Sequence, residues 1–137
     1  MLTVTRSIKI EWEDCDPAGI VYFPRYFVFF DRCTGGIFEA VGFPKRELLK
    51  KYQFAGYPVV EARATFSVPS TYGDTVEVET AICEWGRTSF RVQHRLMKGA
   101  TLAVEGFETR VWVGGEPSEP GGMKACPIPQ DLIDRFK

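Results

Sequence analysis

A chain of 137 residues with 45% hydrophobic side chains and eleven phenylalanines is of single-domain length and can fill a sizeable core. Its formal net charge of −1, without a basic stripe interleaved with aromatics, argues against nucleic acid as a partner. No apolar run reaches bilayer-spanning length, and Met1 to Ser7 lack the apolar centre of a secretory signal, so a soluble, cytoplasmic protein without a membrane partner is expected.

The first element predicted is a half-buried strand, in which Ile8, Ile10 and Trp12 alternate with Lys9, Glu11 and Glu13 up to Asp14. A turn on Asp16-Pro17-Ala18-Gly19 follows, and Pro24 marks the first helical position, where its missing N–H costs nothing. Around it Phe23, Phe27, Phe30, Thr34, Ile37 or Phe38, and Val41 recur at three- and four-residue steps, with Val28 and Phe29 filling the flank. A helix apolar on nearly every side is read as buried, ending before Gly42. Gly35 and Gly36 each cost it about 1 kcal/mol, a cost expected where a sheet passes too closely for a side chain. Pro44 then opens a short surface helix from Lys45 to about Tyr52.

From Gly56 the period changes to two. Val60, Ala62, Ala64, Phe66 and Val68 share one face of a strand, and Val59, Glu61, Arg63, Thr65 and Ser67 the other. After turn residues 69–74, Val76, Val78 and Thr80 alternate with Glu77, Glu79 and Ala81 as far as Trp85. Gly86 breaks that run. Phe90, Val92, His94 and Leu96 form the inward row of the next strand, Lys98-Gly99-Ala100 turns the chain, and Thr101 to Val113 closes the set. A loop over 114–122 and a short helix from Pro129 to Phe136 end the chain. One buried helix ahead of long strands with short connections predicts an α+β fold with mostly antiparallel strands, a single domain over 1–137.

The residues with chemical potential lie near the predicted helix. Asp16 sits in the turn before its N-terminus, where the first N–H groups lack intrahelical partners and can stabilise a developing oxyanion. With Pro24 unable to donate, the amides near Phe23 and Arg25 are the candidate donors; the bland alternative is that Asp16 only shapes its turn. Asp31 shares a face with Phe23 and Phe27, and a charge there needs a partner, either a strand arginine such as Arg63 or Arg95 or a ligand. His94 is read as a satisfied core or interface histidine. Cys15, Cys33, Cys83 and Cys126 lack ligand spacing and read as buried reduced thiols, so no metal site is expected. Cys15 has no visible activator to make it a nucleophile.

The stretch Cys15-Asp16-Pro17-Ala18-Gly19-Ile20-Val21-Tyr22, with Pro24-Arg25-Tyr26 and Phe29-Phe30-Asp31, resembles the signature of the hotdog-fold 4-hydroxybenzoyl-CoA thioesterases. It is also similar to the Tol–Pal-associated short-chain acyl-CoA thioesterases. The likeness continues through Gly56 to Val60, Tyr72-Gly73-Asp74, Glu84 to Phe90 and Glu108 to Val111. The resemblance implies a hotdog fold, an antiparallel sheet of about five strands wrapped around one long central helix. It also implies hydrolysis of an acyl-CoA thioester to free acid and CoA, with Asp16 as nucleophile or general base and the Phe23 backbone amide in the oxyanion hole. Tyr22, Tyr26, Asp31, Tyr57, Val60 and Glu61 then fall to substrate binding, and Arg87, Thr88 and Ser89 to CoA. No cofactor is implied beyond the CoA of the substrate, and the expected assembly is a homodimer or a dimer of dimers.

Asp31 tilts the acyl group toward a 4-hydroxybenzoyl-like aromatic, because hydroxybenzoyl enzymes carry Asp there and the Tol–Pal relatives usually carry Glu. Tyr57 in place of Thr, and the extra acid Glu61, depart from the hydroxybenzoyl pattern and recut the expected pocket. The alternatives are a short-chain aliphatic acyl-CoA or acyl-carrier-protein thioesterase and, less favoured, a non-catalytic acyl-binding hotdog protein. A hotdog dehydratase needs His on the loop–helix side, whereas His94 is on a late strand.

Overall fold

The period-two runs become one antiparallel sheet in the computed structural model, which describes residues 1–116 and 118–137. In chain order the elements are β1 (Thr3–Lys9), α1 (Pro24–Ala40), α2 (Lys45–Lys51), β2 (Phe54–Gly56), β3 (Val59–Phe66), β4 (Thr75–Trp85), β5 (Ser89–Lys98), β6 (Thr101–Val111), β7 (Val113–Gly114), β8 (Lys124–Ala125) and α3 (Gln130–Asp134). Five strands pair in the order β1-β4-β5-β6-β3, each antiparallel to its neighbour, and β2-β7-β8 form a small second sheet. The long helix and the five-stranded antiparallel sheet are the hotdog arrangement that the resemblance implies.

Alternation in β4 and β5 directs Val76, Val78, Thr80, Phe90, Val92, His94 and Leu96 inward against α1. The helix answers with Phe29, Phe30, Cys33, Thr34, Ile37 and Phe38, all buried. Two apolar clusters result. One surrounds Phe29 and Phe30 near the N-terminal half of α1; the other surrounds Ile37 and Phe38 and takes in Trp112, Leu132 and Phe136. Leu48 anchors α2 on the second cluster.

Several expectations are corrected. The first strand ends at Lys9, not Asp14, because Ile10 exchanges backbone hydrogen bonds with Gly73 and Asp74. Residues Trp12–Asp14 then form a 3₁₀ turn with the Trp12 ring exposed. The α1 helix is not covered all round: Phe23 is 57% exposed and Val28 37%, and Asp31 and Arg32 also face outward. No side chain crowds Gly35 or Gly36, so the close approach proposed for them is absent. It occurs instead at Gly106 on β6, where a Cβ would run into the Phe30 ring. Cys83 is exposed rather than buried. The expected loop over 114–122 begins in strand, with Gly114 pairing to both Phe54 and Lys124; its Pro117 lies outside the described residues.

These contacts make two opposite predictions. Gly106→Ala forces Phe30 off its position and should cost about 1–3 kcal/mol in denaturant unfolding. Gly35→Ala, with open space beside it, should stabilise by about 0.5–1 kcal/mol. Equal midpoints for both variants would contradict this packing.

Candidate active site

The turn ahead of α1 is fixed by its own hydrogen bonds. Asp16 N–H donates to Ile20 O at 3.0 Å, and Gly19 N–H donates to Asp16 O at 2.9 Å. The turn requires φ +83° at Gly19, a conformation open to glycine at little cost. Asp16 Oδ1 accepts the Ala18 amide at 2.9 Å, leaving the other carboxylate oxygen without a hydrogen-bond partner among the described residues. Bridges from Cys15 to Val21 and from Ile20 to Thr71, with Val21 N–H on Ser70 O at 2.9 Å, fasten the loop to the segment entering β4.

The amides that follow are mostly spent. Tyr22 N–H donates to Asp14 O at 2.8 Å, Arg25 N–H to Tyr22 O at 2.8 Å and Tyr26 N–H to Phe23 O at 3.1 Å. Of the two donors expected from the sequence, Arg25 is therefore unavailable, while Phe23 N–H has no acceptor among the described residues. An apolar cleft of about 270 Å³, lined by Ile20, Val21, Phe23, Tyr26, Phe66 and Val68, lies beside it. Tyr26 is buried against Phe66, with ring centroids 5.5 Å apart, whereas Tyr22 is half exposed. Asp16, Tyr22, Phe23 and Tyr26 thus gather at one end of α1.

Midway along α1 the chain builds a charge cluster. Asp31, exposed at its tip, accepts from Arg110 Nη2 at 2.8 Å. This partner is neither strand arginine expected from the sequence, since Arg95 pairs with Glu79 and Arg63 lies over the Phe107 ring. Arg110 Nη2 also donates to Glu108 Oε2 at 2.8 Å, and Nη1 to Tyr57 O at 3.2 Å. Glu108 Oε1 lies 3.0 Å from His94 Nε2, while His94 Nδ1 meets Thr80 Oγ1 at 2.9 Å. Thr34 of α1 donates to the same Glu108 oxygen, and Phe30 stacks on the His94 ring at 4.6 Å. His94 is thus the satisfied core histidine that its strand position predicts.

Burial opposes charge on Glu108, but hydrogen bonds from His94 and Arg110 outweigh it and hold the carboxyl down to about 2. Burial pushes the Tyr57 phenol up to about 12. Its ring stacks on Phe38 at 4.9 Å, and its hydroxyl has no partner among the described residues. A cavity of about 340 Å³ lined by Lys45, Phe54, Tyr57, Arg110 and Val113 adjoins this cluster.

The remaining candidates lie elsewhere in the chain. Val60 is 61% exposed on the edge strand β3. Glu61 pairs in register with Thr109, on the sheet face opposite Glu108 and Arg110, so a single chain does not bring it to Asp31. The Arg87–Ser89 turn is held by backbone bonds, Ile128 N–H to Arg87 O at 2.9 Å and Trp112 N–H to Thr88 O at 2.7 Å. It follows the far end of β4, whereas the Asp16 loop bridges to Thr71 ahead of its beginning. The strand's length separates them by roughly 30 Å.

The side-chain roles of Asp14, Arg25, Glu108 and Arg110 escaped the sequence reading. A signal existed for two of them: Glu108 and Arg110 continue the inward row of Val104 and Gly106, where a charge requires a partner. Glu108 in the fold stays ionised down to about 2, against an ordinary 4.5, so its stabilising contribution is complete above pH 4.5 and disappears as pH falls toward 2. The urea midpoint should drop across that window. Glu108→Gln should flatten this limb and cost about 3 kcal/mol at neutral pH, because it removes the buried partner of Arg110 and leaves only the exposed Asp31 carboxylate to balance it; an unchanged acid slope in the variant would contradict the assignment.

Residues 10–136 match the thioesterase-like superfamily. The 4-hydroxybenzoyl-CoA thioesterase of Pseudomonas sp. (strain CBS-3) is 31% identical, over 96% of each chain. The acyl-CoA thioesterase YbgC of Haemophilus influenzae is 27% identical over 94% of this chain and 90% of that one. Among solved structures, a variant of 4-hydroxybenzoyl CoA thioesterase complexed with 4-hydroxybenzoyl CoA superposes with a TM-score of 0.90 at 29% identity, covering 98% of this chain and 99% of that one. A gentisyl-coenzyme A thioesterase superposes with a TM-score of 0.82 at 32% identity, covering 97% and 98%. Among the described residues no helix is long and apolar enough to cross a membrane. The chain belongs to the thioesterase-like superfamily, as a hotdog-fold acyl-CoA thioester hydrolase of the 4-hydroxybenzoyl-CoA thioesterase family.

Proposed function

We propose that this hydrolase cleaves an aromatic, hydroxylated benzoyl-type CoA ester, with Asp16 as nucleophile or general base. One observation carries the reading: a half-buried carboxylate with an unengaged oxygen stands on the loop that leads to the unspent Phe23 amide at the N-terminus of a 17-residue helix. Negative charge growing on the thioester oxygen at that amide is stabilised by the N–H dipole and by the helix macrodipole. As nucleophile, Asp16 attacks the carbonyl carbon, the C–S bond breaks to release CoA thiolate, and water hydrolyses the resulting anhydride. As base, Asp16 takes the proton of the attacking water. Either route consumes only water, so no cofactor is invoked.

The aromatic assignment rests on Asp31, whose carboxylate is held outward by Arg110 and can accept a phenolic O–H. The two benzoyl-type relatives, named for 4-hydroxybenzoyl and gentisyl CoA, support it. Tyr22, Tyr26, Tyr57, Val60 and Glu61 are assigned to the walls of the substrate site, and Arg87, Thr88 and Ser89 to CoA. Because Arg87 and Asp16 are separated by the length of β4 within one chain, the site is assigned to a homodimer. The edge strand β3 supports this, with Val59 43% exposed, Val60 61% and Phe66 46%.

The test is thiol release from a panel of benzoyl-type and short aliphatic CoA esters. Asp16→Asn should lower kcat by about 10³-fold or more on the best ester. Arg87→Ala should raise KM about tenfold or more while sparing kcat, the loss of one charge-assisted contact. Asp31→Asn should narrow the preference for 4-hydroxybenzoyl over unsubstituted benzoyl CoA. Equal rates for wild type and Asp16→Asn would remove Asp16 from the reaction, and aliphatic esters outrunning every aromatic would overturn the substrate class.

A further inference from the structure

Arg25 is out of place by simple electrostatics. It is the second residue of α1, where the helix dipole is positive and no acidic residue occupies the first turn. Its guanidinium is taken up by Asp14, whose Oδ1 accepts Nε at 2.9 Å and Nη2 at 2.7 Å. The Asp14 side chain is only 5% exposed, against 30% for Arg25. Its second oxygen accepts the Glu11 amide at 2.9 Å, and its backbone carbonyl accepts Tyr22 N–H at 2.8 Å. Asp14 therefore ties the start of the Asp16 turn to its end, two residues before Asp16 and immediately before the Phe23 amide.

We propose that Asp14 is a positioning residue that sequesters Arg25, leaving the carboxylate of Asp16 unpaired for reaction. This rests on the reading of Asp16 as the reacting group. A guanidinium is a strong partner for a carboxylate, and Asp16 carries an oxygen without a hydrogen bond in the same short turn. Between Asp14 and Arg25 the sequence carries one other acid, Asp16, and neutralising Asp14 frees the guanidinium to pair with it. An ion pair there would hold the attacking oxygen back and draw the loop away from the Phe23 amide.

A mutant cycle separates this role from simple bracing of the loop. Asp14→Asn, Arg25→Gln, the double variant and Asp16→Asn are compared for kcat, KM and Tm, using the CoA ester that the wild type turns over fastest. Asp14→Asn should lower kcat about 100-fold, the scale of a misplaced reacting group, with KM within about threefold. Arg25→Gln alone should lose less, and the double variant should regain about tenfold in kcat over Asp14→Asn without any gain in Tm. A double variant as slow as Asp14→Asn, or Asp14→Asn as fast as wild type, would overturn the proposal. Asp14→Ser, which keeps an acceptor for the Glu11 amide, carries the same comparison if Asp14→Asn does not fold. Full activity in Asp16→Asn would overturn the reading of Asp16 and this role with it; an inactive Asp16→Asn beside unaffected Asp14 variants would remove only the role of Asp14.

Discussion

A long helix covered on one side only is the constraint from which the rest of this molecule follows. Phe29, Phe30, Ile37 and Phe38 commit one face of α1 to the sheet, and the cost of leaving Phe23 and Val28 outside is accepted in exchange for an accessible N-terminus. Were α1 wrapped completely, the unspent Phe23 amide would be sealed beneath protein and out of reach of any ligand. The fold instead pins the middle of the helix and leaves its beginning open. Thr34 and Asp31 on α1 meet Glu108 and Arg110 on β6 through a cluster in which every charge has a counter-charge, and that pairing offsets its desolvation. Phe30 slides over Gly106 to reach His94, so the same spot fixes both the depth and the register of the helix.

Much of this architecture is legible in the sequence because it depends on local period and punctuation. Pro24 starts the helix, Gly42 lies just beyond its end, and the rows Val76–Val78–Thr80 and Phe90–Val92–His94–Leu96 point inward as their alternation requires. The one-sidedness of α1 is not legible, since an apolar residue destined for a partner surface looks the same as one destined for the core. Glycines mislead for a related reason. Gly35 and Gly36 look like a contact point by their place in a helix, yet the contact belongs to Gly106, which only the pairing of β5 and β6 brings under Phe30. Ion pairs are harder still: Asp31 and Arg110 are far apart in the chain, and nothing in their spacing prefers Arg110 to Arg63 or Arg95. Asp14 and Arg25 are nearer, but Asp14 sat inside an alternating run that reads as strand.

The candidate site divides into two regions with different logic. At the N-terminus of α1 the free groups are few and their geometry is set by backbone: one unpaired carboxylate oxygen, one unspent amide and an apolar cleft, beside the closed Asp14–Arg25 pair. At mid-helix the groups are side chains held by one another, Asp31 on Arg110 and Arg110 on Glu108, beside a cavity walled by Tyr57 and Lys45. The first region suits bond cleavage and the second suits recognition of a polar substituent. The basic turn at Arg87 stands apart from the first by the span of β4, and this separation is what the proposed homodimer answers.

The central claim is tested most directly by a crystal structure with a non-hydrolysable 4-hydroxybenzoyl-CoA analogue in which a methylene separates the carbonyl from sulfur. The account predicts the analogue's carbonyl oxygen within about 3.2 Å of the Phe23 nitrogen, with the Asp16 carboxylate against the carbonyl carbon. A carbonyl bound away from that amide, with Asp16 making no contact to the ligand, would contradict it.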